Sequence, residues 1–285
     1  MPKIRKRITF FYALTASLAT LVTVILRTVA LFTEYEAEAG FYASPSLAIA
    51  TAAILVAVGI TLSAFAYQER EHFAFSPDYR DLPSLVSGVY FAVSLLFFAV
   101  MLLLGALPST TAALVTAILT ALFAIAGTAI FVLRAFDGRV GTYTAAMLTL
   151  PTAAVGVLYA LYLSFEDEIM LTSPVKLLST ATWILATLFF LGEARLALGR
   201  AKWALHLSVT AMAVILSGTL ALPNLVLHAA RGESLLLNTA HDFAALGLFL
   251  YTAARLAATL AAPCREEDAE ATDRKEAGHE EASGR

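Results

Sequence analysis

Charged residues are scarce in this sequence. They make up 14% of its 285 residues, whereas hydrophobic residues make up 59% and the mean hydropathy is +0.77. A typical soluble domain is about 25% charged, so this chain lacks the residues needed to cover a water-facing surface. The shortage excludes a soluble enzyme and a secreted disulfide scaffold as the main body of the protein. No basic patch lies on a water-soluble element, so nucleic acid is not an expected partner.

Cysteine is almost absent as well. The single cysteine, Cys264, cannot form an intrachain disulfide, and no paired-cysteine metal motif is possible. The sequence also lacks a Walker motif, a GxGxxG motif, an HExxH motif and a GxSxG motif. We therefore predict no catalytic residue and no cofactor. The alternative that stays open is a bound metal or haem. An enzyme is not the favoured interpretation.

What the sequence has instead is a series of long apolar segments. A helix needs roughly 20 apolar residues to cross a bilayer. Eight segments are long enough: 8–33, 45–68, 84–108, 110–135, 142–164, 173–197, 202–230 and 235–262. The first of them is longer than the apolar core of a signal peptide, so it reads as a retained span. We predict an all-α, polytopic membrane helix bundle of eight transmembrane helices.

The basic residues predict the orientation of these spans. With the N-terminus inside, 16 of the 19 lysines and arginines lie on the inner side. The remaining three, Arg27, Lys176 and Arg231, lie on the outer side. Because inner loops of membrane proteins are enriched in Lys and Arg, both termini are predicted to be cytoplasmic. The predicted location is the cell membrane, as a multi-pass protein.

Landmarks of the first four spans recur in the last four. Ser44-Pro45 precedes the second span as Ser173-Pro174 precedes the sixth. We interpret this as two parallel four-helix repeats, residues 1–137 and 138–262, since an even number of spans keeps both copies the same way up. Residues 263–285 carry eight acids and four bases, a composition typical of a disordered charged tail on the cytoplasmic side.

The densest group of polar residues lies at the outer ends of the last two spans. Asn224 and His228 share a face of the seventh span, and Asn238, His241 and Asp242 begin the eighth. The short loop between these spans makes them antiparallel neighbours, so the five side chains are expected to meet. Polar and ionisable groups at membrane depth are costly, which makes each of them a candidate for a function.

Three interpretations of this group stay open. Polar side chains commonly hold two membrane helices together, so the group could be a packing seam. A neutral histidine and a carboxylate could line a solute or ion site. A metal or haem could be held by His228 and His241, with Asp242 as a third metal ligand, because imidazole and carboxylate suit a divalent transition metal.

Two charged residues inside the spans are expected to find partners. Arg27 lies inside the outer end of the first span, where it either extends outward to the interface or forms an ion pair with Asp242. Arg27 is therefore included among the solute- or ion-binding candidates. At the inner end of the sixth span, Glu193 is expected to pair with Arg70 or Arg195.

The leading functional hypothesis is movement of a small solute or ion across the cytoplasmic membrane, at the interface between the two halves. The alternative is a non-catalytic membrane anchor or sensor subunit of a larger complex. The second alternative is an intramembrane metal or haem enzyme. The predicted partners are the lipid bilayer, a small solute or cation, and a membrane or cytosolic protein.

Overall fold

The computed structural model describes residues 2–36, 41–68, 81–104, 110–137, 140–166, 173–200, 202–231 and 239–261. Within these ranges the chain is helical except for two short strands, β1 (Tyr35–Glu36) and β2 (Phe41–Tyr42), which pair antiparallel. The helices are α1 (Pro2–Thr33), α2 (Ser46–Gln68), α3 (Leu82–Leu104), α4 (Thr111–Gly127), α5 (Ala129–Asp137), α6 (Thr142–Phe165), α7 (Pro174–Ala197), α8 (Trp203–Arg231) and α9 (Thr239–Ala261).

The eight predicted spans are confirmed as helices. Eight helical segments in the described residues, with α4 and α5 counted as one, are long and apolar enough to cross a membrane. Most boundaries agree within one or two residues; Ser173 is the N-cap of α7 and Pro174 its first residue, as predicted. The predicted end of the third span, at 105–108, lies outside the described residues, as does the tail at 263–285. The cytoplasmic orientation of the termini stays a prediction.

Six of the spans form a closed ring. In this ring each helix packs against the next in the order α3, α4, α6, α7, α8 and α9, and α9 packs against α3. Helices α1 and α2 lie outside the ring and pack against α8. Helix α8 therefore packs against α1, α2, α7 and α9, and it is the most buried of the eight spans, whereas α2 is the most exposed.

The two predicted halves occupy different places in this packing. Helices α1 and α2 are outside the ring, whereas α6 and α7, their predicted counterparts, belong to it. The two-repeat organisation with a boundary at residue 137 rests on the sequence landmarks and stays a prediction.

The fourth span is interrupted, which the sequence pattern did not predict. The break lies at Thr128, between α4 and α5, where the Thr128 hydroxyl donates back to the Ile125 carbonyl at 2.8 Å. The carbonyl of Gly127 accepts a hydrogen bond from the Thr152 hydroxyl of α6 at 3.0 Å. A side chain at Gly127 would lie 2.7 Å from that hydroxyl, so the glycine allows α6 to approach the broken turn.

Candidate functional site

Arg27 is turned into the bundle rather than out toward the interface. Its side chain is 3% exposed, and Nη1 donates to the carbonyls of Thr219 at 2.6 Å and Leu220 at 2.9 Å. The reason lies in α8, where Pro223 has no N–H to donate to the carbonyl four residues earlier, that of Thr219. Arg27 supplies the missing donor. The expectation that Arg27 extends outward is therefore wrong.

Asn224 joins Arg27 to Asp242. Its Oδ1 accepts from Arg27 Nη2 at 2.8 Å, and its Nδ2 donates to Asp242 Oδ1 at 2.8 Å. These two partners define the orientation of the amide, because the guanidinium can only donate and the carboxylate here accepts. Arg27 and Asp242 therefore do not form the expected direct ion pair; Asn224 lies between them and bonds to both.

His241 continues the same chain of hydrogen bonds. Its Nδ1 lies 3.2 Å from Asp242 Oδ1, and its Nε2 lies 3.2 Å from the indole nitrogen of Trp183 and 3.0 Å from the Ser179 hydroxyl. An indole N–H is only a donor, so Nε2 is the accepting nitrogen and the ring proton is on Nδ1, facing the carboxylate. His241 is thus held as a neutral imidazole. We call Arg27, Ser179, Trp183, Asn224, His241 and Asp242 the outer polar cluster.

One carboxylate oxygen in this cluster has no hydrogen-bond partner. Asp242 accepts both of its hydrogen bonds on Oδ1, and Oδ2 is buried without a donor. The hydroxyl of Tyr159 is likewise buried without a partner, and the Tyr159 ring lies 5.4 Å from that of His241. A buried polar atom without a partner is costly and marks a place where a proton or a ligand can be gained.

The predicted metal ligands are not arranged as a metal site. Within the described residues, no group of three or more His, Cys, Asp or Glu side chains is placed to hold a metal ion. Both ring nitrogens of His241 are already engaged by Asp242, Ser179 and Trp183, and His228 is half-buried. Asn238 lies outside the described residues. The metal and haem interpretation gains no support from this geometry.

A second polar cluster lies at the opposite end of the ring. Glu193 Oε1 is 3.5 Å from Arg255 Nε and 3.3 Å from His206 Nε2, with all three side chains buried. The expected pairing of Glu193 with Arg195 is wrong, because the Arg195 side chain is exposed whereas the buried Glu193 carboxylate contacts Arg255 and His206. The other expected partner, Arg70, lies outside the described residues.

Further charged residues extend this second cluster. Arg134 donates to the Tyr251 hydroxyl at 3.1 Å, and Arg255 Nη1 lies 3.9 Å from Asp81 Oδ1. We call Asp81, Arg134, Glu193, His206, Tyr251 and Arg255 the inner polar cluster. The sequence carried a signal for it, since Arg255 and Glu193 both interrupt apolar spans near the same predicted side. The partners depend on the order of helices round the ring, which the sequence does not give.

Aromatic side chains fill the interior of the six-helix ring between the outer and inner polar clusters. Phe91 of α3 stacks on Phe190 of α7 at 5.8 Å between ring centroids, and Phe98 of α3 stacks on Trp183 of α7 at 5.9 Å. The buried rings of this layer are Phe91, Phe98, Phe131, Tyr159, Trp183, Phe190 and Tyr251. The interior of the ring is therefore a packed core at mid-depth.

A large cavity lies outside the ring of six spans. A groove of about 570 Å³ opens between α2 and α7, with α8 as its floor. It follows α2 from Ala48 to Ile60, a length of ~18 Å at 1.5 Å per helical residue. Arg27 and Tyr42 lie at one end, and Arg27 is the only charged residue among the described residues that line it. The rest of the lining is almost wholly apolar.

Comparisons with known proteins give no further assignment: no family model matches the chain, and no curated protein or solved structure gives a significant match. The class of protein therefore rests on the fold alone. It is an all-helical protein whose eight long apolar helices are compatible with an integral, multi-pass membrane protein.

Proposed function

We propose that this protein moves a small amphiphile with an anionic head across the membrane, taking it from the bilayer into the groove between α2 and α7. The single observation that carries the proposal is the placement of Arg27 at one end of an apolar, laterally open groove. Its volume of about 570 Å³ is within the range of ligand sites, roughly 300–1,000 Å³.

The lining of the groove favours an amphiphile over a bare ion. An ion entering an apolar groove would lose its hydration without gaining protein ligands along most of the ~18 Å length. An alkyl chain would instead lie against the alanine, leucine and isoleucine side chains of α2 and α7. The head group would then reach Arg27, the charged end of the groove.

Arg27 is held in position for this role. Three of its N–H donors are used by Thr219, Leu220 and Asn224, which fixes the guanidinium plane at the edge of α8. A guanidinium retains its charge and can bind carboxylate or phosphate oxygens with its other donors. The bridge through Asn224 to Asp242 connects the charge at the groove to the carboxylate that has an unpartnered oxygen.

The position of the groove also supports movement rather than binding alone. It lies where α2 of the predicted first half meets α7 and α8 of the predicted second half. Interfaces between halves are where parallel-repeat transporters bind their substrates. At its far end Gly59 faces the flexible side chain of Met212, which can shift without a change in the backbone.

The test uses lysophosphatidic acid labelled at the end of its acyl chain, in vesicles of phosphatidylcholine. Movement into the inner leaflet protects the label from a membrane-impermeant quencher. We expect protein-containing vesicles to protect it several-fold faster than empty vesicles, and to leave labelled lysophosphatidylcholine near the empty-vesicle rate. Equal rates for the two head groups, or for empty vesicles, contradict the proposal.

Two phenylalanine variants locate the path. Ala52 lines the groove, whereas its neighbour Ala53 is exposed on the same helix but does not line it. Ala52→Phe is expected to abolish the movement, and Ala53→Phe is the matched control that leaves it unchanged. If both variants behave alike, the groove is not the path.

A second candidate function is a membrane anchor or sensor subunit. One observation favours it: the interior of the six-helix ring is filled by the aromatic layer. Binding of the labelled lipid without movement would support this candidate over transport.

A further inference from the structure

A smaller pocket lies at the opposite end of the bundle, between α7 and α8. Its volume is about 240 Å³, and its lining combines leucines with basic groups. The basic groups are Arg195 in the last turn of α7, Lys202 just before α8, and His206 in the first turns of α8. This pocket is separate from the groove at Arg27 and shares no residue with it.

The turn between the two helices explains why these basic groups meet. Gly199 adopts φ +68°, a left-handed conformation that favours glycine. Its N–H donates to the Leu196 carbonyl at 2.9 Å, and the N–H of Arg200 donates to the Arg195 carbonyl at 2.9 Å. These two bonds are the Schellman arrangement that ends a helix. The chain reverses within a few residues, which brings Lys202 back beside Arg195.

Two of the basic side chains in the pocket, those of Arg195 and Lys202, are not paired with an acid of the described residues. Arg195 and Lys202 are exposed, and neither forms an ion pair with a residue of the described ranges. The nearest acidic residue in sequence, Glu193, is buried and contacts Arg255 and His206 rather than Arg195 or Lys202. The pocket therefore presents a net positive charge beside an apolar wall.

His206 adds an independent indication of a ligand. Its Nε2 lies 3.3 Å from Glu193, while its Nδ1 is buried and has no partner. The ring stacks on Phe189 with a centroid distance of 5.8 Å, and Nδ1 lies beside Gly192, which also lines the pocket. A side chain at Gly192 would collide with Nδ1. With Glu193 on Nε2, Nδ1 is the ring nitrogen that is left for a ligand.

We infer that this pocket binds the phosphate head group of an anionic phospholipid. Basic pockets between membrane helices at the cytoplasmic side are suited to anionic head groups. A lipid fits better than free phosphate because Leu188 and Leu205 form a half-exposed apolar wall, along which an acyl chain can lie. Arg195 and Lys202 bind the phosphate by charge, and His206 contributes its unpartnered Nδ1 to the polar part of the head group. The inference does not depend on the proposed transport function.

The test is a titration of the full-length protein in a non-ionic detergent, followed by native mass spectrometry. The probes are dioleoyl phosphatidylglycerol, dioleoyl phosphatidylcholine and inorganic phosphate. We expect one phosphatidylglycerol to bind at least tenfold more tightly than phosphatidylcholine, and millimolar phosphate not to displace it. Equal binding of the two lipids overturns the inference, and so does displacement by phosphate, which would indicate a site for a free anion.

Charge-removing variants on one turn identify the site. Arg195→Gln with Lys202→Gln is expected to weaken phosphatidylglycerol binding at least tenfold, equivalent to about 1.4 kcal/mol. Arg200→Gln is the matched control, because Arg200 is exposed on the same turn but does not line the pocket. An equal loss in the control would mean that only the overall charge matters, which overturns the site. All substituted residues are exposed, and a thermal unfolding curve in phosphatidylcholine nanodiscs checks that each variant is folded.

Ala52→Phe separates this inference from the proposed function. The phenylalanine side chain fills the groove near Arg27, and it is expected to leave phosphatidylglycerol binding at the pocket between α7 and α8 unchanged. A loss of phosphatidylglycerol binding in Ala52→Phe would place the bound lipid in the groove and overturn the inference.

Discussion

The guanidinium of Arg27 donates to the carbonyl of Thr219, the carbonyl that Pro223 leaves without a helix donor. A proline in one helix and a buried arginine in another therefore compensate each other. In a membrane, where water does not satisfy backbone groups, such an exchange is needed wherever a helix is interrupted. The same arginine forms the charged end of the groove, so one side chain serves both the backbone of α8 and the candidate site.

This relationship predicts a coupling between Arg27 and Pro223. Arg27→Gln is expected to destabilise the protein by about 2 kcal/mol, because it leaves the Thr219 carbonyl and Asn224 without their donor. Pro223→Ala restores the backbone N–H, so in that background the cost of Arg27→Gln should fall by about 1 kcal/mol. Thermal unfolding of the four proteins in nanodiscs measures the coupling. Additive effects would show that the two residues act independently.

The outer polar cluster predicts the tautomer of His241. The indole N–H of Trp183 faces Nε2, so the proton is expected on Nδ1, toward Asp242. Nitrogen NMR on histidine-labelled protein distinguishes the two tautomers by their chemical shifts. Trp183→Phe keeps the aromatic packing but removes the donor, and it should change the Nε2 signal. A proton on Nε2 in the wild-type protein would contradict the arrangement.

The inner polar cluster predicts which residue Glu193 depends on. Glu193→Gln is expected to destabilise the protein by about 3 kcal/mol, because Arg255 is buried and would lose its carboxylate. A double-mutant cycle with Arg255→Gln should show a large interaction energy. The matched cycle with Arg195→Gln should show almost none, since Arg195 is exposed. A larger coupling to Arg195 than to Arg255 would restore the pairing expected from the sequence.

The contact between α6 and α7 predicts a difference between two glycines. A side chain at Gly156 would collide with the Trp183 carbonyl and the Thr187 hydroxyl. Gly156→Ala is therefore expected to lower the free energy of unfolding by ~1–3 kcal/mol, as is typical of overpacked cores. At Gly59 the nearest atoms are the mobile end of Met212, so Gly59→Ala should be nearly neutral. Unfolding temperatures of both variants test this. Equal effects would mean that α6 and α7 are not packed so closely.

The sequence predicted the helices well and their arrangement less well. Hydropathy, together with Ser173 and Pro174 at a helix start, depends only on local residues, so the eight spans and most of their ends could be predicted. The meeting of Asn224 with Asp242 followed from a short loop between consecutive helices.

Features that depend on non-consecutive helices could not be predicted. The burial of Arg27 could be predicted only by knowing that α1 packs against the part of α8 where Pro223 leaves a carbonyl without its helix donor. The pairing of Glu193 with Arg255 requires the ring order that turns both side chains inward. The break at Thr128 depends on the hydroxyl of Thr152 on a different helix. In each case the deciding interaction is tertiary.

The most direct test of the central claim is native mass spectrometry of the protein in phosphatidylcholine nanodiscs loaded with lysophosphatidic acid. In the Arg195→Gln, Lys202→Gln background, which removes the lipid site between α7 and α8, we predict one retained lysophosphatidic acid without a further change and with Ala53→Phe, and none with Ala52→Phe. Arg27→Lys, which keeps the charge, should retain more of it than Arg27→Gln. Equal retention in Ala52→Phe and Ala53→Phe would show that the groove beside Arg27 does not bind the amphiphile.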